Sequence, residues 1–270
     1  MEESRELEYL KEEMNKIKNG EDSFLGIDGG NISDSKIWVC GVEFGGTLKD
    51  MGHYLKNTVK YDEKDGFKFP YRINAGEFEN SKYDLFLSEF IIKLFGLKDV
   101  EKNKYLKDNL YNLDSNIFKL NLYPLAKKDT SWDKTYDEIF TITKEEYYGY
   151  IFNKRKKFFK KLIKKFSPET IICSITKNSE CIFADAFFEH EKDWVKVKWE
   201  VVNGEVSSNK LKKFKVSIYK KDNLSIIMIP FFGMGTGNLN SYDDVIFMAE
   251  YLKENYRKLV DTQKSFLEDI

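Results

Sequence analysis

Lys36-Ile-Trp-Val-Cys-Gly-Val-Glu-Phe-Gly-Gly46 decides how the rest of this chain is read. The run from Ile37 to Cys40 suits a buried strand, and Gly41, Gly45 and Gly46 follow it at once. Glycines at a strand end let backbone approach a ligand closely, and open α/β sheets carry their chemistry at the carboxyl ends of the strands. Glu43, the one carboxylate in this stretch, stands at that end.

Outward from this strand, apolar periods alternate between strand and helix spacing. Leu7, Leu10, Met14 and Ile17 form one stripe on a helix within residues 1–20, expected to pack on the outside. Gly26–Asn31 reads as a turn. From Thr47 to about Tyr71 no period is sustained, and Gly66–Arg72 reads as a loop with exposed aromatics. Lys82–Phe95 is an apolar helix closed by Gly96. Asn116–Pro124 alternates as a strand that Pro124 ends.

A long helix from about Lys144 to Lys165 turns Tyr147, Ile151, Phe158, Leu162 and Phe166 inward and its basic cluster outward. Ser167-Pro168 stops it. Thr170–Ile175 is the next buried strand, and Ser179–Phe188 a short helix. Residues 194–219 alternate on both sides of Asn203-Gly204, a strong hairpin signal. Leu224–Pro230 is the last buried strand, and a helix from about Ser241 to Leu259 closes the pattern. Strands alternating with helices predict an α/β fold: three layers, α/β/α, with a central, mainly parallel sheet and a β-hairpin excursion near 194–219.

A 41% hydrophobic content over 270 residues fills one substantial core and does not demand two, so a single domain over 1–270 is expected. The net charge of −1 averages an uneven distribution, because Lys154-Arg-Lys-Lys157, Lys160-Lys161 and Lys164-Lys165 crowd one segment while acids dominate the N-terminus. Near-neutrality therefore leaves a nucleic-acid partner open. Cys40, Cys173 and Cys181 lack CxxC spacing, and His53 and His190 lack partners in the pattern, which argues against a disulfide framework or a metal site. The chain reads as reduced and cytoplasmic, with a charged amphipathic first helix rather than a signal peptide and no run of the roughly 20 apolar residues that span a bilayer.

In a parallel sheet Glu43, the region of Asn121 and the loop Phe231–Asn238 would line one edge. These three strand ends resemble, in order and spacing, the motifs of the uracil-DNA glycosylase superfamily over roughly residues 35–255. Gly41-Val-Glu-Phe-Gly45 puts Glu43 in the slot of the residue that positions or activates the attacking water. Leu120-Asn-Leu-Tyr-Pro-Leu125 puts Asn121 in the slot of the amide that reads the flipped base. Ile229-Pro-Phe-Phe-Gly-Met-Gly-Thr-Gly-Asn-Leu239 takes the place of the last motif, with Phe231 and Phe232 where the family often has a His. Glu43 is also one methylene longer than Asp, which implies a different pocket depth or base.

The resemblance implies a DNA glycosylase acting on a flipped, non-standard or modified base, with DNA as partner, no cofactor, no metal and a monomeric state. Cleaving an N-glycosidic bond develops positive charge on the sugar and negative charge on the base, so a fixed carboxylate stabilises the first and orients water. Glu43 is the candidate catalytic group. An unstacked base needs an aromatic platform and an amide edge: Phe44, Phe69 and Tyr71, with neighbouring Phe67, are the candidate platforms and Asn121 the candidate reader. Gly41, Gly45, Gly46, Gly233, Gly235, Gly237 and Asn238 are candidate backbone contacts to a phosphate or ligand.

The alternatives are a nucleic-acid-binding or regulatory module that keeps this fold without catalysis and, further off, an S-adenosylmethionine-dependent methyltransferase. For the latter, Gly233-Met-Gly-Thr-Gly237 comes after the last strand instead of the first, with no room for the remaining fold. A dinucleotide site would need Gly where Asn238 stands.

Overall fold

Runs of apolar residues too short for a helix and bounded by glycine or proline become strands here, and amphipathic runs between them become helices. The computed structural model describes residues 2–64, 66–73, 81–97, 100–127, 132–176, 179–188, 195–203, 212–233 and 237–268. In chain order the elements are α1 (Glu2–Asn19), β1 (Ile27–Gly29), β2 (Ile37–Gly41), α2 (Leu48–Asn57), β3 (Val59–Lys64), β4 (Phe67–Arg72), α3 (Lys82–Phe95), α4 (Lys102–Asp108) and β5 (Ile117–Asn121). They continue with α5 (Thr135–Phe140), α6 (Lys144–Glu146), a π-helical turn (Tyr147–Ile151), α7 (Phe152–Phe166), β6 (Thr170–Ile175), α8 (Glu180–Phe187), β7 (Val195–Asn203), β8 (Lys212–Lys221), β9 (Leu224–Pro230) and α9 (Tyr242–Glu268).

The chain divides into two compact units. The first comprises Met1–Asn74, Tyr111–Pro168 and Ile182–Glu189. In it β2 and β5 run parallel, in register from Ile37 with Ile117 to Gly41 with Asn121, and β1 joins the other edge of β5 antiparallel. All five residues of β5 are buried, the continuous pattern of a strand covered on both faces. Leu10, Met14 and Ile17 of α1 are buried, as their spacing predicts.

The second unit comprises Ala75–Leu110, Glu169–Cys181 and His190–Ile270. There β6 and β9 are parallel from Thr170 with Ser225 to Ile175 with Pro230, while β8 pairs antiparallel with β9 and β7 with β8. Helix α3 ends at Gly96 in the left-handed conformation (φ 65°), whose amide bonds back to the Ile92 and Lys93 carbonyls. It packs on α9, with the Phe86 and Tyr242 rings edge to face at 4.9 Å. Parallel strand pairs flanked by helices, with a separate antiparallel hairpin, make this the three-layer α/β/α class expected from sequence. Among the described residues no helix is long and apolar enough to cross a membrane.

Several local expectations are corrected. Ile27–Gly29, read as a turn, is strand β1. The stretch read as aperiodic holds α2, opened by a Thr47–Asp50 capping box, and the β3–β4 hairpin. Within Gly66–Arg72, Phe67–Arg72 is accordingly a strand and not an aromatic loop. The predicted hairpin exists as β7–β8, and its pairing to β9 continues the sheet of its unit; the residues after Asn203 that would form its turn lie outside those described. The last helix runs on to Glu268.

Candidate active site

Past their carboxyl ends, β2 and β5 remain zipped together. Leu122 N donates to Gly41 O (2.9 Å), Tyr123 N to Val42 O (2.8 Å), Lys127 N to Phe44 O (2.9 Å) and Gly46 N to Lys127 O (3.3 Å). This ladder of loop backbone carries Glu43 and Lys127 to the same place, with Oε1 and Nζ 3.5 Å apart. The Glu43 side chain is 19% exposed and that of Lys127 4%. Burial raises the Glu43 carboxyl above the ordinary glutamate value, and the Lys127 ammonium pulls it part of the way back.

Aromatic rings stand on the Lys127 side of the pair. Lys127 Nζ donates to Tyr148 OH at 2.6 Å. The π-helical turn places Tyr147 and Tyr148 in succession against the strand-end loop, and Leu125 N donates to Tyr147 OH (3.1 Å). Such turns are rare and recur at functional sites. Trp132 packs on Tyr136 (5.3 Å between centroids), Tyr147 (5.2 Å) and Tyr148 (6.1 Å), and Tyr123 lies 5.0 Å from Tyr148. Tyr136 OH donates to Ala126 O. Burial above all, with the Glu43 charge as a lesser contributor, pushes the Tyr136 and Tyr147 hydroxyls well up.

At the end of β5 lies a buried polar network. Asn121, 1% exposed, donates from Nδ2 to Asp28 Oδ1 (3.0 Å), and Asp28 Oδ2 pairs with Lys119 Nζ at 2.7 Å. The amide of Asn121 is thus engaged inside the protein, where it fixes the end of β5. Gly41 is glycine for a packing reason, since Asn121 Oδ1 occupies the space of its side chain. Arg155, expected on the outward basic face, is instead 1% exposed and donates to the carbonyls of Asn121 (2.7 Å) and Leu122 (3.3 Å). Burial lowers its guanidinium to about 10, still cationic at neutral pH. The rest of that cluster, Lys154, Lys156, Lys157, Lys160, Lys161, Lys164 and Lys165, is partly or fully exposed.

The candidate aromatic platforms fare differently. Phe69 is 1% exposed and Phe67 7%, with the Phe67 ring on Phe24 (5.8 Å) and Phe166 (5.0 Å), so both belong to the core rather than to a surface that stacks a base. Phe44 is 9% exposed against Tyr54 (5.5 Å), and Tyr71 is half-buried.

Among the glycines, Gly45 bridges to Lys127 with open space where a side chain would be. Gly46 takes φ 120° beside Asp50 of the α2 cap. In the second unit, the Gly233 amide donates to Leu239 O (3.1 Å), which removes it as a phosphate donor. Gly237 is left-handed at φ 80° with open space around it. Asn238 is half-buried, and Gly235 lies outside the described residues.

No local pattern in the sequence marks Lys127, Trp132, Tyr148, Asp28 or Lys119. Position offers a weak signal for two of them: Lys127 follows the Asn121 segment within a few residues, and Tyr148 stands near the start of the predicted long helix. Among the described residues no cluster of His, Cys, Asp and Glu is arranged to hold a metal ion. No protein-family model matches the chain, and a search of curated proteins finds no significant match.

Proposed function

We propose that this chain is a DNA glycosylase-like enzyme that hydrolyses the N-glycosidic bond of a flipped, non-standard or modified base, with Glu43 as the catalytic carboxylate. One observation carries the reading. At the carboxyl end of β2, a partly exposed carboxylate with a raised pKa sits beside a cation and among aromatic rings. A raised pKa makes a carboxylate a stronger base, able to take a proton from water as the glycosidic bond opens, and its anion stabilises the cationic sugar. Tyr148 and Trp132 supply the aromatic surface that an unstacked base requires. The exposed lysines of α7 give the phosphate backbone an electrostatic partner. Three free cysteines fit a reducing, cytoplasmic setting.

A second reading, a nucleic-acid-binding module without catalysis, is favoured by the Asn121 amide, which is held by Asp28 rather than offered to a base edge. One experiment separates the two. Duplex and single-stranded oligonucleotides carrying uracil, mismatched or modified bases are incubated with wild type and Glu43→Gln, then treated with hot alkali to cleave abasic sites. Strand cleavage by wild type but not by the variant supports the enzyme. Binding by both without cleavage on any substrate leaves the binding module.

A further inference from the structure

The paired carboxyl groups that flank a sugar in glycoside hydrolases stand about 5–5.5 Å apart in retaining enzymes and about 6.5–9.5 Å apart, with room for a water, in inverting ones. Glu43 Oε1 and Lys127 Nζ are 3.5 Å apart. They are too close to divide the two faces between them, but their spacing suits a nucleophile and the base that deprotonates it, a contact that is commonly loose before substrate binds. Two of the three N–H bonds of the ammonium have oxygen partners, Glu43 and the Tyr148 hydroxyl. A buried amine beside a carboxylate and an aromatic wall has the components of imine chemistry.

We infer that Lys127 is an amine nucleophile toward C1′ of the deoxyribose, so that base release passes through a covalent imine; this rests on the glycosylase reading of the same site. In the first step the Lys127 ammonium gives a proton to the Glu43 carboxylate. The nitrogen lone pair forms the C1′–Nζ bond as the C1′–base bond breaks, and its electron pair leaves with the base, which takes up the proton from Glu43. The sugar ring then opens: Nζ, now a secondary ammonium, gives one proton to the Glu43 carboxylate, which passes it to O4′ as the C1′–O4′ bond breaks, and the lone pair so freed on Nζ completes C1′=Nζ as a protonated imine. Water adds to that imine and returns the free amine and an abasic aldehyde, so no oxidant or reductant is consumed.

The test bypasses base recognition. A duplex with a preformed abasic site already presents the C1′ aldehyde, which condenses with the amine and loses water to give the same imine. Sodium borohydride delivers hydride to C1′ and fixes the imine as a secondary amine. The full-length protein should then run as a covalent protein–DNA band, and mass spectrometry of the digested band should place the nucleotide on Lys127. Lys127→Arg keeps a cation beside Glu43 but has no nucleophilic amine, and its band should fall at least about tenfold, with thermal denaturation checking that the variant is folded. No band with wild type, a band of equal strength in Lys127→Arg, or a modification mapped to another amine overturns the proposal. The two readings fail separately. Base release without a trapped adduct removes the amine route and leaves water activated by Glu43, whereas an adduct on Lys127 with no base released from any modified oligonucleotide removes the glycosylase.

Discussion

Gly41 and Asn121, paired across β2 and β5, stand so close that a Cβ on Gly41 would lie 2.6 Å from Asn121 Oδ1. Asn121 is buried and tied to Asp28, so it has little freedom to yield. Gly41→Ala should therefore destabilise the fold by about 1–3 kcal/mol, the usual range for overpacking. The entropy that alanine removes from the unfolded chain offsets only about 0.4–1 kcal/mol. Urea denaturation measures the difference, and an unchanged midpoint would show that the amide can turn away.

Glu43→Gln keeps the shape of the side chain and removes its charge. Loss of a general base costs about 10²–10⁴-fold in rate, so base release should drop by that factor while DNA affinity changes little. Single-turnover assays beside a binding titration would separate the two effects, and equal losses in both would point to a structural role.

The raised pKa of Glu43 sets a pH dependence. Catalysis needs the anion, so the rate should climb with pH through a value above that of an exposed glutamate. Stability moves the other way. A carboxyl whose pKa is raised on folding contributes stability that is full below its unfolded pKa and is lost as pH rises through the folded value. Lys127→Met removes the cation that draws the pKa down and should move the Glu43 titration further up. Carbon NMR of the Glu43 carboxyl in the free protein reads this directly, and an unmoved titration would remove Lys127 as its electrostatic partner.

Asp28 and Lys119 form an ion pair with side chains 4% and 11% exposed. Removing one member of a buried pair strands the other, at a cost of about 3–5 kcal/mol, whereas replacing both with apolar groups of similar volume is often close to neutral. Asp28→Leu should lose that amount and Asp28→Leu with Lys119→Met should recover much of it. Chemical denaturation of the two variants tests this, and additive losses would mean that Asp28 acts mainly by holding Asn121.

What the sequence disclosed follows from the range over which each signal acts. Strand β2 with its glycine turn, strand β5 ending at Asn121, Gly96 as a helix stop and the β7–β8 hairpin each depend on neighbours within a few residues, and all are present. The β3–β4 hairpin was missed, its stretch reading as an aperiodic loop. Asp65-Gly66 between alternating flanks is a turn signal, but Pro70 argues against a strand, and only the two-stranded setting, where Pro70 pairs with Tyr61, accommodates it. The Glu43–Lys127 contact was not legible, because it depends on two loops zipping together after their strands end. Arg155 looked like one more surface cation, since nothing local distinguishes a residue that turns inward to backbone carbonyls.

The π-helical turn at Tyr147–Ile151 acts as a phase adjustment between two functions of one helix. Each α-helical residue advances by about 100°, and a π turn carries one extra residue. Tyr147 and Tyr148, at its start, face the Lys127 loop, while Arg155, beyond it, braces the carbonyl of Asn121. Excision of Gly149, which has open space around it, would restore a regular helix only by rotating one set about 100° against the other. Helix length, counted to the single residue, is what allows both sets to face the same strand end.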